Sequence, residues 1–123
     1  MTIVCKEKTD QEVRIEEKAS PDELKYLCRF CRKEVADAAH GIRVDDQGTH
    51  VFANPHGQVF EIGCFSNAPG ATTASEPSSD FSWFKGYEWQ VAVCSQCSGH
   101  LGWFYSQTAY GFWGLIMDNL VTR

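Results

Sequence analysis

The chain has 123 residues and a formal net charge of −5, and the length fits a single domain. The acidic balance argues against a nucleic-acid groove as the main surface. No apolar run approaches the length of a membrane span, and the N-terminus has no apolar signal region. We therefore expect a cytoplasmic protein with no membrane and no nucleic-acid partner.

The first 22 residues are rich in Lys, Glu, Asp and Gln and contain few apolar side chains to bury. We expect residues 1–22 to form a polar tail or loosely docked segment, and residues 23–123 to form the folded domain. The motif at residues 20–23, Ser-Pro-Asp-Glu, fits two structures equally well. It is either the start of a short helix that runs through Leu24 and Leu27, or a plain turn.

From Gly41 onward, short alternating runs predict a mostly β fold with two small antiparallel sheets. The predicted strands are 42–44, 49–53, 58–65, 88–93, 100–106 and 112–117, the last being a strand or a turn followed by a strand. The motif Asn-Pro-His-Gly at residues 54–57 predicts a turn. The stretch 67–80, rich in Ser, Thr, Ala and Pro, predicts a long loop.

Two Cys-x-x-Cys pairs, Cys28 with Cys31 and Cys94 with Cys97, enclose residues 32–93 between them. Each pair places two thiolates on one tight turn, and two such turns complete the tetrahedron of one structural Zn²⁺. Disulfides would require an oxidising compartment, and a thioredoxin-like site uses one such pair. The pattern therefore predicts a four-cysteine zinc site that joins the two sheets and has no open position for metal catalysis.

Trp83, Trp89 and Trp103 predict an aromatic cage beside the zinc site. Trp89 and Trp103 lie on strands that flank the second cysteine pair, so these strands are expected to pair and to bring the two indoles side by side. Trp83 closes the long loop and is expected to fold over them. Side chains alternate along a strand, so Leu101 and Tyr105 are expected on the face of Trp103.

A Trp-rich core is the alternative interpretation, and we assign Trp113 to it. Two features favour a cage for the other three: glycines crowd the region, and the loop with Trp83 has little other apolar content to anchor it. Bare aromatic faces suit either a methylated ammonium or a small ring whose polar edge meets backbone groups. Asp80 and Glu88 are candidate partners for a cation, so composition leaves both ligand types open.

Four ordered motifs resemble the thalidomide-binding domain of the cereblon family, also called the CULT domain. They are Asn54-Pro55-His56-Gly57, Ser82-Trp83-Phe84-x-Gly86-Tyr87-x-Trp89, Cys94-x-x-Cys97-x-x-His100-x-Gly102-Trp103 and Phe112-Trp113-Gly114-Leu115. Together with the first cysteine pair, the resemblance covers residues 24–121. It identifies the chain as similar to a free-standing, single-domain homologue of the bacterial kind.

The resemblance implies a β-tent fold, with two antiparallel sheets that meet near a zinc ion held by the four cysteines. It implies a cage for cyclic imides, namely glutarimides of the thalidomide type, related rings such as uridine, and the cyclised protein C-termini bound by eukaryotic members. Backbone groups around Phe81 and Trp83 would pair with the imide edge. The implied ligand-binding residues are Asn54, Phe81, Trp83, Trp89, Trp103 and Tyr105.

The sequence departs from the eukaryotic members at two of these positions. They often have His at the position of Phe81 and Phe at that of Tyr105. The first change should be mild because the contact there is made by the backbone, whereas the second adds a hydroxyl to the base of the cage. The chain also lacks the Lon-like and adaptor-binding regions of those members, so we expect no ubiquitin-ligase adaptor as a partner.

An enzyme is the alternative from a different functional class. Methionine sulfoxide reductases of the B type share a related zinc-bearing β fold and use a catalytic cysteine, which would have to be Cys64 here. Cys64 lies in the apolar run 60–65, which favours a buried, inert thiol, so we expect no enzymatic activity. Cys5 lies in the polar tail and has no predicted role.

Overall fold

The computed structural model of the protein describes residues 2–3, 15–17 and 24–123. The strands are β1 Thr2–Ile3, β2 Ile15–Glu17, β3 Lys25–Cys28, β4 Glu34–Asp37, β5 Ile42–Val44, β6 Thr49–Ala53, β7 Val59–Phe65, β8 Ala71–Thr73, β9 Glu88–Cys94, β10 His100–Gln107, β11 Tyr110–Ile116 and β12 Leu120–Thr122. Two single 3₁₀ turns, Ala38–His40 and Met117–Asn119, are the only helical segments within these ranges. The prediction of a mostly β fold is confirmed.

The strands form three antiparallel sheets. The largest has six strands in the order β6-β7-β11-β10-β9-β8, and a three-stranded sheet has the order β12-β3-β4. These two sheets carry the two cysteine pairs, as the sequence predicted. A further small sheet, in the order β1-β2-β5, was not predicted because two of its strands lie in the polar N-terminal segment.

Six strands agree with their predicted bounds to within two residues, namely β5, β6, β7, β9, β10 and β11. Of the two alternatives for this region, the short helix through Leu24 and Leu27 is wrong, because Leu27 lies in β3 and pairs with Val121 of β12. The motif expected to begin that helix, at residues 20–23, lies outside the described residues. The predicted loop 67–80 contains β8, which pairs with the end of β9.

The six-stranded sheet separates two clusters of buried side chains. The metal-side cluster joins this sheet to β12-β3-β4 and consists of Cys28, Val35, Ala36, Phe65, Ala68, Cys94, Leu101, Leu115 and Leu120. The cage-side cluster lies on the other face and consists of Ile15, Ile42, Val44, Cys64, Phe84, Tyr87, Tyr105 and Phe112. Burial of each large apolar side chain contributes about 1.5–3 kcal/mol, so these two clusters hold the sheets together.

A β-bulge separates neighbouring residues of β10 into different clusters. The pairing of β10 with β9 shifts between His100 and Gly102. Gly102 has φ of 149°, and a Cβ there would collide with the carbonyl oxygen of Gly114, so this position requires glycine. Leu101 consequently packs in the metal-side cluster, and the prediction that it shares the face of Trp103 is wrong.

Part of the polar N-terminal segment contributes to the cage-side cluster. Ile15 is buried and pairs with Val44 of β5, which is fully buried. This contact docks β2 against the domain. The predicted boundary between residues 22 and 23, like Cys5, lies outside the described residues and stays a prediction. None of the described helical segments is long and apolar enough to cross a bilayer.

Candidate metal centre and ligand cavity

The two Cys-x-x-Cys turns, here called the first and second knuckle, have the same backbone geometry. In the first knuckle, the N–H of Cys28 donates to the carbonyl of Lys33 and the N–H of Arg32 donates to the carbonyl of Cys28, both at 2.8 Å. The second knuckle repeats both bonds from Cys94, at 2.8 and 2.9 Å. The residue after each second cysteine is left-handed, with φ of 69° at Arg32 and 65° at Ser98.

The four sulfur atoms of the knuckles form one cluster in which all lie within 4.8 Å of one another. The Sγ atoms are 3.7 Å apart for Cys28 and Cys97, and 3.5 Å apart for Cys31 and Cys94. Four sulfurs around a tetrahedral ion with bonds of about 2.3 Å lie about 3.8 Å apart, so the cluster fits such an ion. The cysteines predicted to bind metal are therefore close enough to hold one.

Backbone amides next to the cluster act on its charge. The N–H of Lys33 lowers the pKa of Cys31 to about 7, so this thiol is readily ionised at neutral pH. The N–H of Gly99 lowers the pKa of Cys97, but desolvation and the three neighbouring thiols outweigh it and raise this pKa to about 12. A cation bound among the sulfurs would favour the ionised form of all four thiols, because thiolates are the form that coordinates metals.

The turn Met117–Asn119 connects the two knuckles, which belong to different sheets. The carbonyl of Asn119 accepts from the N–H of Arg29 in the first knuckle at 3.0 Å. Its side-chain Nδ2 donates to the carbonyl of His100, at the end of the second knuckle, at 2.8 Å. Protein contacts thus join the two sheets beside the cluster, in addition to any metal.

The six predicted ligand-binding residues line one cavity of about 220 Å³ on the cage-side face. The residues around it are Asn54, Pro55, His56, Asp80, Phe81, Trp83, Trp89, Trp103 and Tyr105. Trp113, assigned to the core from the sequence, is not among them and packs against the metal-side cluster. The sequence motifs therefore identified residues that are neighbours in space, and their role in ligand binding stays a prediction.

The strand register sets the positions of the walls. Trp89 of β9 pairs directly with Tyr105 of β10, whereas Trp103 pairs with Val91. Trp89 and Trp103 are therefore diagonal neighbours on one face of the sheet and not directly opposite each other. The Trp83 ring meets that of Trp103 edge to face, with centroids 5.0 Å apart and an interplanar angle of 78°.

The indole N–H groups of two walls are bonded within the protein. Trp83 Nε1 donates to the carbonyl of Ala53 at 3.2 Å, and Trp89 Nε1 donates to the carbonyl of Asp80 at 2.7 Å. Each bond ties the loop before β9 to a strand. These two walls consequently offer ring surfaces to the cavity and no N–H donors.

Two phenylalanines that the sequence analysis did not single out support the walls. Phe52 stacks on Trp83 with centroids 4.8 Å apart, and Phe60 meets Trp103 edge to face at 5.4 Å. Phe52 and Phe60 are directly paired across β6 and β7. Their positions in two predicted strands joined by a short turn were the signal available in the sequence.

Curated proteins named cereblon are similar to this chain. It is 34% identical over 87 residues to that of Drosophila erecta, 35% over 77 residues to that of Gallus gallus, and 37% over 75 residues to that of Danio rerio. The chain carries a cereblon-like CULT domain. The alignments cover 67%, 58% and 57% of the chain but only 14%, 17% and 17% of those relatives. No protein-family model matches the sequence.

The loop that carries Phe81 and Trp83 is held by its own polar bonds and by one buried ring. Phe84 is buried and meets Tyr105 edge to face at 4.8 Å, so the loop has more apolar anchoring than the sequence suggested. Phe81 is left-handed, with φ of 57°, and 77% exposed. Among the described residues, the carbonyl of Phe81 and the N–H of Trp83 have no hydrogen-bond partner. Both residues line the cavity.

Asn54 shapes the opposite rim of the cavity. Its Oδ1 accepts from the N–H groups of His56 and Gln58, each at 2.9 Å, and its Nδ2 donates to Gln58 Oε1 at 2.9 Å. The amide therefore holds the turn that places Pro55 and His56 at the rim. The structure gives this predicted binding residue a role in turn geometry.

Tyr105 lines the cavity and is 2% exposed. Desolvation in the cage-side cluster raises its pKa well above the usual range, so the phenol stays neutral and its O–H can donate. Cys64 belongs to the same cluster, is 1% exposed and does not line the cavity. A buried thiol outside the cavity cannot contact a molecule bound in it, which argues against the enzyme alternative.

Proposed function

We propose that the cereblon-like domain binds cyclic imides and related rings, such as glutarimides of the thalidomide type and uridine, in this cavity. The proposal is supported above all by one combination: three indole walls together with the free carbonyl of Phe81 and the free N–H of Trp83. A cavity of about 220 Å³ lies below the roughly 300–1,000 Å³ of drug-sized sites, so it suits one ring better than a larger molecule.

An imide has an N–H between two carbonyls on one edge and aliphatic carbons on the other. Indole faces would cover the aliphatic part, the carbonyl of Phe81 would accept the imide N–H, and the N–H of Trp83 would donate to an imide carbonyl. A glutarimide has about eight heavy atoms, and roughly 0.7–1 kcal/mol for each gives about 6–8 kcal/mol. This corresponds to a Kd between about 1 and tens of micromolar.

We also propose that the ring can be carried by a larger molecule, including a protein whose C-terminus has cyclised to an imide. Phe81, Pro55 and His56 are exposed at the rim, so a substituent on the ring would leave the cavity past them. Because the chain spans about one sixth or less of the relatives' length, only the ligand-binding module is carried over from them.

We infer that the metal is one structural Zn²⁺ held by Cys28, Cys31, Cys94 and Cys97. Four thiolates form a closed set that suits Zn²⁺ and leaves no position for a substrate, so the ion would supply stability and no catalysis. Reduced thiols of this kind fit a reducing compartment, and we propose the cytoplasm.

Calorimetric titration with glutarimide, N-methylglutarimide and uridine tests the proposal. N-methylation keeps the ring but removes the donor that would meet Phe81, so we expect at least a tenfold weaker affinity than for glutarimide. Uridine, whose six-membered uracil ring has the same imide edge and carries a ribose, should bind measurably. Absence of glutarimide binding would overturn the proposal, and equal affinity of the methylated ring would overturn the role of the backbone edge.

A methylated ammonium is the second candidate ligand, because the acidic Asp80 lines the same cavity. Trimethyl-lysine would be held by cation–π attraction to the indole faces. We favour the imide because the free carbonyl and N–H of the loop match its edge and have no counterpart on a quaternary ammonium. Tighter binding of trimethyl-lysine than of glutarimide in the same titration would reverse this choice.

A further inference from the structure

His100 lies midway between the second knuckle and a cavity wall, three residues after Cys97 and three before Trp103. Its Nε2 is 3.0 Å from the carbonyl oxygen of Gly102, the residue that precedes the wall. A carbonyl only accepts, so Nε2 donates in this bond. The imidazole also meets the Trp103 ring edge to face, with centroids 5.0 Å apart and an interplanar angle of 89°.

The backbone of His100 belongs to the connection between the knuckles. Its carbonyl accepts from Asn119 Nδ2, and the carbonyl of Asn119 accepts from the N–H of Arg29 in the first knuckle. One residue thus has its main chain fixed beside the sulfur cluster and its side chain against Trp103.

A β-bulge lies between His100 and the strand segment that carries Trp103. The pairing of β9 with β10 is irregular between His100 and Gly102. Gly102 has no side chain, so it makes no side-chain contacts with neighbouring residues. Regular pairing resumes at Gly102, which pairs with Ala92. The contact from His100 bridges this irregular segment from the side of the knuckle.

We propose that His100 is a positioning residue for the cavity: it fixes the orientation of the Trp103 ring and makes that orientation depend on the metal-binding knuckle. The inference rests on the proposed function and deepens it, because it makes ligand affinity sensitive to the metal centre without any direct contact between ligand and metal. His100 itself does not line the cavity.

Calorimetry with glutarimide on three His100 variants tests the proposal. His100→Ala removes both contacts and should weaken binding about three- to tenfold, because binding then has to order the Trp103 ring that His100 no longer holds. His100→Phe keeps the ring and His100→Gln keeps a donor, so each should recover part of the loss. Gln96→Ala changes an exposed side chain in the same knuckle and serves as the matched control, with affinity unchanged.

Two further measurements separate positioning from a general loss of structure. Metal content and melting temperature of His100→Ala should stay close to those of the wild type. The indole N–H resonance of Trp103 in the free protein should shift or broaden in His100→Ala and return toward its original position in His100→Phe.

Affinity of His100→Ala within twofold of the wild type would overturn the inference and leave the proposed function intact. Losses that follow metal content or melting temperature in all variants would also overturn it. A wild-type protein that binds no glutarimide would instead overturn the proposed function, and the inference with it.

Discussion

Replacing Trp103 by Ala removes one wall of the cavity and leaves the sulfur cluster untouched. The lost indole would cover roughly 40–60 Å² of a bound ring, which is worth about 1–1.5 kcal/mol. Its edge-to-face contacts with Trp83 at 5.0 Å and Phe60 at 5.4 Å are made with and without ligand, so their loss lowers the stability of the domain and not the binding energy. The lost burial predicts an affinity about 5- to 12-fold weaker.

Calorimetry is the suitable assay, because the substitution removes one of the fluorophores that a fluorescence titration would use. Zinc content, measured in parallel, should stay at one ion per chain. A matched pair of conservative changes isolates the cavity: Trp103→Phe should weaken glutarimide binding several-fold. Trp113→Phe, on the opposite face of the sheet and outside the cavity, should leave it unchanged.

Two results would refute this reasoning. One is undiminished affinity of Trp103→Ala, which would mean that the ring binds elsewhere. The other is an equal loss of affinity in Trp113→Phe, which would mean that both changes act through the stability of the sheet and not through a wall.

Three other outcomes are expected. Excess chelator should abolish the cooperative thermal transition and added Zn²⁺ should restore it, because metal affinities of about 10–16 kcal/mol match or exceed the stability of a small domain; an unchanged transition without metal would contradict this. Cys64→Ala should cost about 1 kcal/mol of stability and keep glutarimide affinity within twofold, whereas sulfoxide-dependent oxidation of Cys64 would favour the reductase. Gly99→Ala places a Cβ 2.7 Å from the exposed Phe30 ring and 3.3 Å from Cys97 Sγ, so zinc release to chelator should accelerate. An unchanged rate would show that the Phe30 ring moves aside without disturbing the sulfur cluster.

Local patterns predicted the strands around the cavity, and long-range contacts decided the parts that were missed. The alternation in residues 49–53 was sufficient for β6, because its turn and partner follow directly in the chain. β12 was missed because its partner β3 is some ninety residues away, and three residues carry too little pattern of their own. Ile15 is buried through pairing with Val44, which the polar residues around it did not indicate.

The candidate site was predictable as a set of residues but not in its geometry. Motifs identified the four cysteines and the indoles, since each needs a particular residue at a particular position. The bulge that directs Leu101 away from the face of Trp103 depends on a close approach of the Gly102 and Gly114 backbones, on two neighbouring strands, that only glycine allows at position 102. Similarly, the bonds that commit the amide of Asn54 to its own turn become visible only in the folded backbone.

The bonded N–H groups of Trp83 and Trp89 have a consequence for which molecules the domain can distinguish. Both donors are bonded to the carbonyls of Ala53 and Asp80, so these two walls select a ligand by the thickness and flatness of its ring. They make no hydrogen bonds that would distinguish the positions of its heteroatoms. Chemical discrimination is left to the short stretch of main chain between Phe81 and Trp83 and to the hydroxyl of Tyr105. The main chain would read a single functional-group edge, so unrelated molecules that display that edge become alternative ligands without any change in the walls.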